Sequence, residues 1–193
     1  MRRILIDSRV VPPSIPQKVS TSHLGTAFEL LTLDLLTSHP YYMDLVRVGG
    51  ANDKGVDLRG RWNPSSLGTR PLRSLDVIIQ CKAERTPLRP AIIREFEGVL
   101  QNQFHQRNTT STLGILVSLN GFSKQTINRS VEGKWPLSLV HLQVDRDKLR
   151  LDENGKLWKR EREADETEQE RDREVVSWSR NQAWKDIVAG ATG

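Results

Sequence analysis

Apolar positions along this chain fall into two rhythms, and the switch between them lays out the elements. Leu24, Ala27, Phe28, Leu31 and Leu35 recur at helical spacing and share one side of a helix. Thr21 or Ser22 offers its cap, and Pro40 stops it at about Ser38. Ahead of it, residues 1–20 hold Pro12, Pro13 and Pro16 and keep no sustained period, so an extended arm is expected, with a short strand over Ile4–Val11. Strand patterns follow at Met43–Val48, which closes on Gly49-Gly50, at Gly55–Trp62, after the turn Ala51-Asn52-Asp53-Lys54, and at Leu75–Lys82, with Val77-Ile78-Ile79 at its centre. Asn63–Arg73 carries Pro64, Gly68 and Pro71 and reads as a surface loop. A helix is expected from about Pro90 to Gln106, a buried strand over Thr112–Leu119, a helix over Ser123–Gly133 and a strand over Leu137–Val144. The order α-β-β-β-α-β-α-β, alternating in its second half, predicts an α/β fold with a mixed sheet flanked by helices.

The pattern changes again near Asp145. Residues 159–174 are almost entirely charged or polar, which suits a solvated helix or no fixed structure. Three units result: an arm over 1–20, one domain over 21–150 and a charged tail over 151–193. Trp158, Trp178 and Trp184 flank the charged run; they either pack the tail onto the body or anchor a partner.

Charge sharpens this division. Residues 1–150 carry a net +8 and residues 151–193 a net −3, within a total of +5. A basic body suits a polyanion, because neutralising phosphates releases counterions. One cysteine, Cys81, rules out an internal disulfide and a cysteine-rich zinc site. No stretch approaches the roughly 20 apolar residues of a membrane helix, so no membrane span is expected. Met1-Arg2-Arg3-Ile4-Leu5-Ile6 has no long apolar run, and a secretory signal is not expected.

The chemistry gathers on the strand pattern Leu75–Lys82. Alternation sends Leu75, Val77, Ile79 and Cys81 one way and Asp76, Ile78, Gln80 and Lys82 the other. A lysine closing an apolar strand is costly if buried alone and cheap at an opening into a polar cleft. If Gly55–Trp62 pairs with this strand, Asp57 stands beside Gln80 and Lys82. Phosphodiester hydrolysis needs a hard cation on oxygen ligands, an aimed water and compensation of negative charge. Asp57 and the Gln80 carbonyl can bind the cation, Lys82 can orient the water or offset the charge, and Glu29 on the first helix is the candidate second carboxylate.

Asp57 followed by Gln80-Cys81-Lys82 resembles the PD-(D/E)XK nuclease signature in its Mrr-like form, with glutamine in place of the first acid of the (D/E)XK element. Gly25-Thr26-Ala27-Phe28-Glu29 is similar to the helix that supplies an extra metal-binding glutamate in that superfamily. The spread Arg47-Val48-Gly49-Gly50…Gly55-Val56-Asp57 resembles the glycine-containing hairpin of archaeal Holliday junction resolvases and Mrr proteins. A closer likeness, over roughly Ser22–Val144, is to the fungal required-for-respiratory-growth family of mitochondrial proteins, carried most by Gly49–Asp57 and Ile79-Gln80-Cys81-Lys82-Ala83-Glu84. The resemblance implies a restriction-endonuclease-like core, DNA as partner, Mg²⁺ (or Mn²⁺) as cofactor and a mitochondrial location. Many relatives are dimers, so a homodimer is also implied.

Arg59, Arg61, Arg70, Arg73, Arg85, Arg89 and Arg94 surround the proposed site in sequence and would form a rim for the phosphate backbone. Arg94 and Gln101 share a helix face that either lines the cleft or meets solvent. His23, His39, His105 and His141 have no metal-ligand spacing, and His141 is expected to be structural. Gln80 leaves a second reading open, because an amide is a weaker ligand than a carboxylate: a non-catalytic DNA-binding module on the same fold. The charged tail and its tryptophans leave a third, an assembly scaffold.

Overall fold

The first helix is capped by Ser20, one residue before the earlier of the two expected caps. The Ser20 side chain accepts the His23 amide at 3.2 Å, and α1 runs Thr21–Thr37, ending ahead of Pro40. The computed structural model describes residues 20–50, 55–63, 74–107, 112–144, 149–157 and 175–190. The elements that follow α1 are β1 (Asp44–Arg47), β2 (Leu58–Trp62), β3 (Leu75–Lys82), α2 (Ala91–Arg107), β4 (Thr112–Ser118), α3 (Lys124–Glu132), β5 (Leu137–Leu142), β6 (Val175–Arg180) and α4 (Gln182–Gly190). Up to β5 this is the order predicted from the periodicities. The arm over 1–19, the turn 51–54, most of the loop after Trp62 and residues 158–174 lie outside the described residues.

The six strands lie in sequence order. β2 is antiparallel to both its neighbours, β1 and β3; β3, β4 and β5 are parallel, and β6 returns antiparallel to β5. Parallel neighbours need crossover connections, and α2 and α3 supply them. β4 is buried at all seven positions, as a strand covered on both faces must be. One core cluster joins Phe28 and Leu36 of α1 and Trp184 of α4 to Leu58, Trp62, Val77, Ile79, Ile115 and Val140. The other joins Ile93, Phe96 and Leu100 of α2 to Ile78, Leu116 and Leu139. Odd and even positions of β3 therefore serve opposite layers, as its alternation predicted. No helix among the described residues is long and apolar enough to cross a membrane.

Residues 175–190, expected as part of a charged tail, complete the sheet and cap it. Asn181 makes the join: its Oδ1 accepts the amides of Leu137 (3.2 Å) and Trp184 (2.9 Å), and its Nδ2 donates to the Trp135 carbonyl at 2.8 Å. Trp184 then stacks on Trp62 with centroids 5.6 Å apart. Of the two readings of the tryptophans, Trp178 and Trp184 follow the packing one. Trp178 sits beside Tyr41 with centroids 4.8 Å apart and donates its indole N–H to Ser138.

Two glycines give opposite tests of this packing. A Cβ on Gly60 would lie 1.8 Å from the Asp44 carbonyl oxygen, so Gly60→Ala must pull β1 away from β2. In urea denaturation it should cost about 3 kcal/mol or more. Gly25, inside α1, has nothing within 4 Å of that point. Gly25→Ala should stabilise by roughly 0.5–1 kcal/mol, because a helical glycine loses more backbone entropy than alanine.

Candidate active site

The ladder between β2 and β3 stops before β3 does, and the candidate site lies in the resulting fork. The register runs from Trp62↔Leu75 to Leu58↔Ile79, and the Asp57 amide adds a last backbone bond to the Ile79 carbonyl at 2.9 Å. The next β3 donor along, the Cys81 N–H, meets the Asp57 carboxylate instead: Oδ2 accepts it at 2.6 Å. The Asp57 carbonyl accepts both the Val48 amide (2.8 Å) and the Gly49 amide (2.9 Å), which ties the chain leaving β1 to the same point. Asp57 is only 8% exposed, held by its backbone to two strands and by its side chain to one.

Glu29 reaches this fork from α1. The position a Cβ on Gly49 would take lies 2.9 Å from Glu29 Oε2 and 3.3 Å from Asp57 Oδ1. Only a residue without a side chain lets these two carboxylates face each other there. Arg47, at the end of β1, donates from Nε to Glu29 Oε2 at 2.6 Å, in a partly shielded pair. Cys81 lies beneath. Desolvation first, then the Asp57 charge, pushes its thiol well above the ordinary cysteine range, against the opposing pull of a hydrogen bond with Thr32.

Gln80 and Lys82 alternate with Cys81 and follow Ile78 toward the layer of α2. Gln80 is 7% exposed, and its Oε1 is buried with no hydrogen-bond partner among the described residues. Its Nε2 lies 3.2 Å from where a Cβ on Gly55 would stand, and Gly55 has φ +80°, which favours glycine. Lys82 is half-buried at the end of β3.

The expected arrangement is thus changed in one respect. Asp57, Gln80 and Lys82 were to share one sheet face, with Glu29 reaching over its edge. Instead Glu29 arrives from the α1 layer, Gln80 and Lys82 belong to the α2 layer, and Asp57 lies in the split between β2 and β3. The reason is that β2 begins at Leu58 rather than Gly55, so strand alternation does not set the direction of Asp57. Glu29 and Asp57 are brought together; Gln80 joins them only through the shared fork. No three His, Cys, Asp or Glu side chains cluster among the described residues.

Of the arginine rim, Arg59 is half-buried, Arg61 lies 3.8 Å from Asp76, and Arg85, Arg89 and Arg94 are exposed. Arg70 and Arg73 lie outside the described residues. Arg94 and Gln101 face solvent, while Glu97 on the same helix pairs with Arg129 of α3 at 2.8 Å. Two residues had been given no role at the site, Arg47 and Thr32. Arg47 stands in the same glycine-containing stretch as Gly49, which is the one local signal that it belongs there; Thr32 had none, because a threonine on the buried side of a helix looks like packing.

The family described as required for respiratory growth protein 7 matches residues 20–71 and 64–173 of the chain. The chain is 33% identical over 132 residues to an uncharacterised mitochondrial protein of Schizosaccharomyces pombe, an alignment covering 67% of this chain and 49% of that one. It is 28% identical over 156 residues to the mitochondrial required for respiratory growth protein 7 of Kluyveromyces lactis, covering 65% of this chain and 66% of that one. The chain therefore spans about half of the first relative and just under two thirds of the second. Among solved structures, the MspJI restriction endonuclease in complex with a 27-mer oligonucleotide is similar over 60% of this chain and 25% of that chain, with 20% identity and a TM-score of 0.38, too slight a likeness to build on.

Proposed function

This chain belongs to the required for respiratory growth protein 7 family of mitochondrial proteins, and from that premise we propose that it is a divalent-cation-dependent nuclease that cuts phosphodiester bonds in mitochondrial DNA, on a restriction-endonuclease-like core. The observation that carries this reading is the convergence of Glu29 and Asp57 on one point above Gly49, at the fork that also holds Gln80 with its unpartnered buried oxygen.

The donor set suits a hard cation. Two carboxylates and an amide carbonyl are all oxygen ligands, the kind Mg²⁺ prefers, with water filling its other positions. Glu29, Asp57 and Gln80 would hold it. When bound, such an ion supplies positive charge to the phosphate and makes a water molecule more acidic. The protein's own groups do the rest. Asp57, pinned by the Cys81 amide, keeps its second oxygen in a fixed direction. Lys82, at the strand end, orients the attacking water or meets the negative charge that builds on the phosphate. Asp57 and Gln80 are buried and Glu29 is largely so, which reduces the screening of these charges.

The assay is cleavage of plasmid and oligonucleotide DNA by the purified chain in Mg²⁺ or Mn²⁺. Lys82→Ala should cut about 100-fold more slowly than the wild-type chain, with binding in EDTA little changed. Equal cleavage by both would remove Lys82 from the mechanism, and no cleavage by either would remove the nuclease. One observation favours a second reading, a non-catalytic DNA-binding module. Arg47 already neutralises Glu29 at 2.6 Å, which is what a cation would otherwise do. On that reading the protein retains DNA in EDTA and does not cut it, whichever divalent ion is supplied.

A further inference from the structure

α2 packs on β4, in the parallel half of the sheet, and its Gln103 reaches toward β2 on the same side. A cleft of about 250 Å³ opens there, lined by Arg59, Arg61, Asp76, Ile78, Gln103 and Thr112 among others. Its floor carries a polar group with unfinished bonding: Arg59 Nε is buried with no hydrogen-bond partner among the described residues. A buried guanidinium N–H without an acceptor is costly, and the part of Arg59 that stays accessible is what an oxygen entering the cleft meets. Arg61 stands two residues further along the same side of β2. It is 72% exposed and loosely held, 3.8 Å from Asp76. Gln103 of α2, buried, forms part of the wall. Two guanidiniums against one carboxylate leave the cleft a net positive charge.

The register shows where this cleft stands relative to the fork. Arg59 is paired with Ile78 and Arg61 with Asp76, and Ile78 is two residues before Gln80 on the same face of β3. Two strand residues span about 7 Å, about one phosphate-to-phosphate step along a nucleic-acid strand, whose roughly 3.4 Å rise per nucleotide is measured along the helix axis. Lys82, Gln80, Arg59 and Arg61 therefore line one side of the two paired strands as a track, with Gln80 buried and Arg61 exposed. Its fork end lies beside Asp57, and its far end sets Arg59 and Arg61 against Asp76.

We infer that this cleft is a phosphate-binding subsite, in which Arg59 and Arg61 take a backbone phosphate of the DNA strand about one nucleotide from the bond held in the fork. The inference rests on the nuclease reading for what lies at the fork, and on the cleft alone for the anion it takes. Guanidinium suits the role, since its planar N–H groups fit two oxygens of a phosphate and carry no base preference. The track accordingly fixes register along the strand and reads no sequence.

The test is fluorescence anisotropy of a short labelled DNA oligonucleotide, single-stranded and duplex, in EDTA so that nothing is cut. Arg59→Gln and Arg61→Gln should each weaken binding about tenfold and flatten the salt dependence of affinity by about one unit of slope. Arg59→Lys keeps the charge but not the Nε donor, and should retain the slope while losing affinity. Lys124→Gln, on the exposed side of α3, should change neither. Arg61 is exposed enough that its substitution does not threaten the fold, so it carries the test even if Arg59 variants misfold. Binding and slope unchanged in Arg61→Gln and in folded Arg59→Gln, or a wild-type chain that does not bind DNA, would overturn the subsite. Cleavage in Mn²⁺, scored separately, tells the two claims apart: a chain that binds through the arginines without cutting keeps the subsite and loses the nuclease.

Discussion

Asp57→Ala is expected to lower DNA cleavage in Mg²⁺ by about 100- to 1,000-fold, the range seen when one charge-stabilising group is taken from a preorganised site. The side chain also has a structural task, because its Oδ2 accepts the Cys81 amide at 2.6 Å. Removing it leaves a donor without that partner, which costs about 1–3 kcal/mol. Asp57→Asn separates the two effects, since an amide oxygen can still accept the Cys81 N–H but no longer carries charge. It should fold nearly as well as the wild-type chain and cut nearly as poorly as Asp57→Ala. Cys81 supplies a second readout that owes nothing to activity. The Asp57 charge is the second largest cause holding its thiol above the ordinary range. Asp57→Asn should therefore let Cys81 react with iodoacetamide at lower pH than in the wild-type chain. The thiol's pKa is raised in the folded state, so its contribution to stability is full below the unfolded value of about 8.5 and drains away as pH climbs above it. Unchanged Cys81 reactivity in Asp57→Asn would mean that the carboxylate does not sit where the fork puts it.

A chain ending at residue 174 is expected not to fold. It loses β6 and α4, and with them the edge pairing of β5, the bonds of Asn181 and the burial of Trp184. A buried tryptophan cut to alanine alone costs about 3–5 kcal/mol, and a domain's whole margin is about 5–15 kcal/mol. Trp62, which donates to the Tyr41 carbonyl at 2.9 Å and packs against Trp184, would lose that neighbour on one side. The truncated chain should show no cooperative thermal transition and rapid proteolysis, with Trp184→Ala and Asn181→Ala intermediate. A truncated chain that melts within a few degrees of the full one would show that the last two elements merely decorate the sheet. It would also revive a tail that acts separately from the body.

The elements from α1 to β5 were legible because each has an apolar rhythm long enough to fix its type. β6 and α4 were not. Val175–Arg180 is short, follows a run of charges and has only Val176 and Trp178 to hint at a strand. What identifies it is the open edge of β5, which no local pattern encodes. The site was legible as a set of residue types and not as an arrangement. Glu29, Asp57, Gln80 and Lys82 could be picked out by chemistry, yet the direction of Asp57 depends on where the β2 ladder stops, and alternation holds only inside a strand. Gly49 explains itself only when Glu29 and Asp57 are seen on either side of it. Arg47 and the buried Arg59 nitrogen are in the same position: their meaning lies in which partners they have or lack, and that is settled by tertiary packing.

The proposal that Glu29, Asp57 and Gln80 hold one cation is tested most directly by calorimetric titration of Mn²⁺ into the wild-type chain and the Glu29→Gln/Asp57→Asn double variant, both checked for folding. The wild-type chain should bind with a fitted stoichiometry near one ion per chain, and the double variant should give no measurable heat at the same concentrations. Absence of binding by the folded wild-type chain, or binding that survives in the double variant, would contradict the assignment.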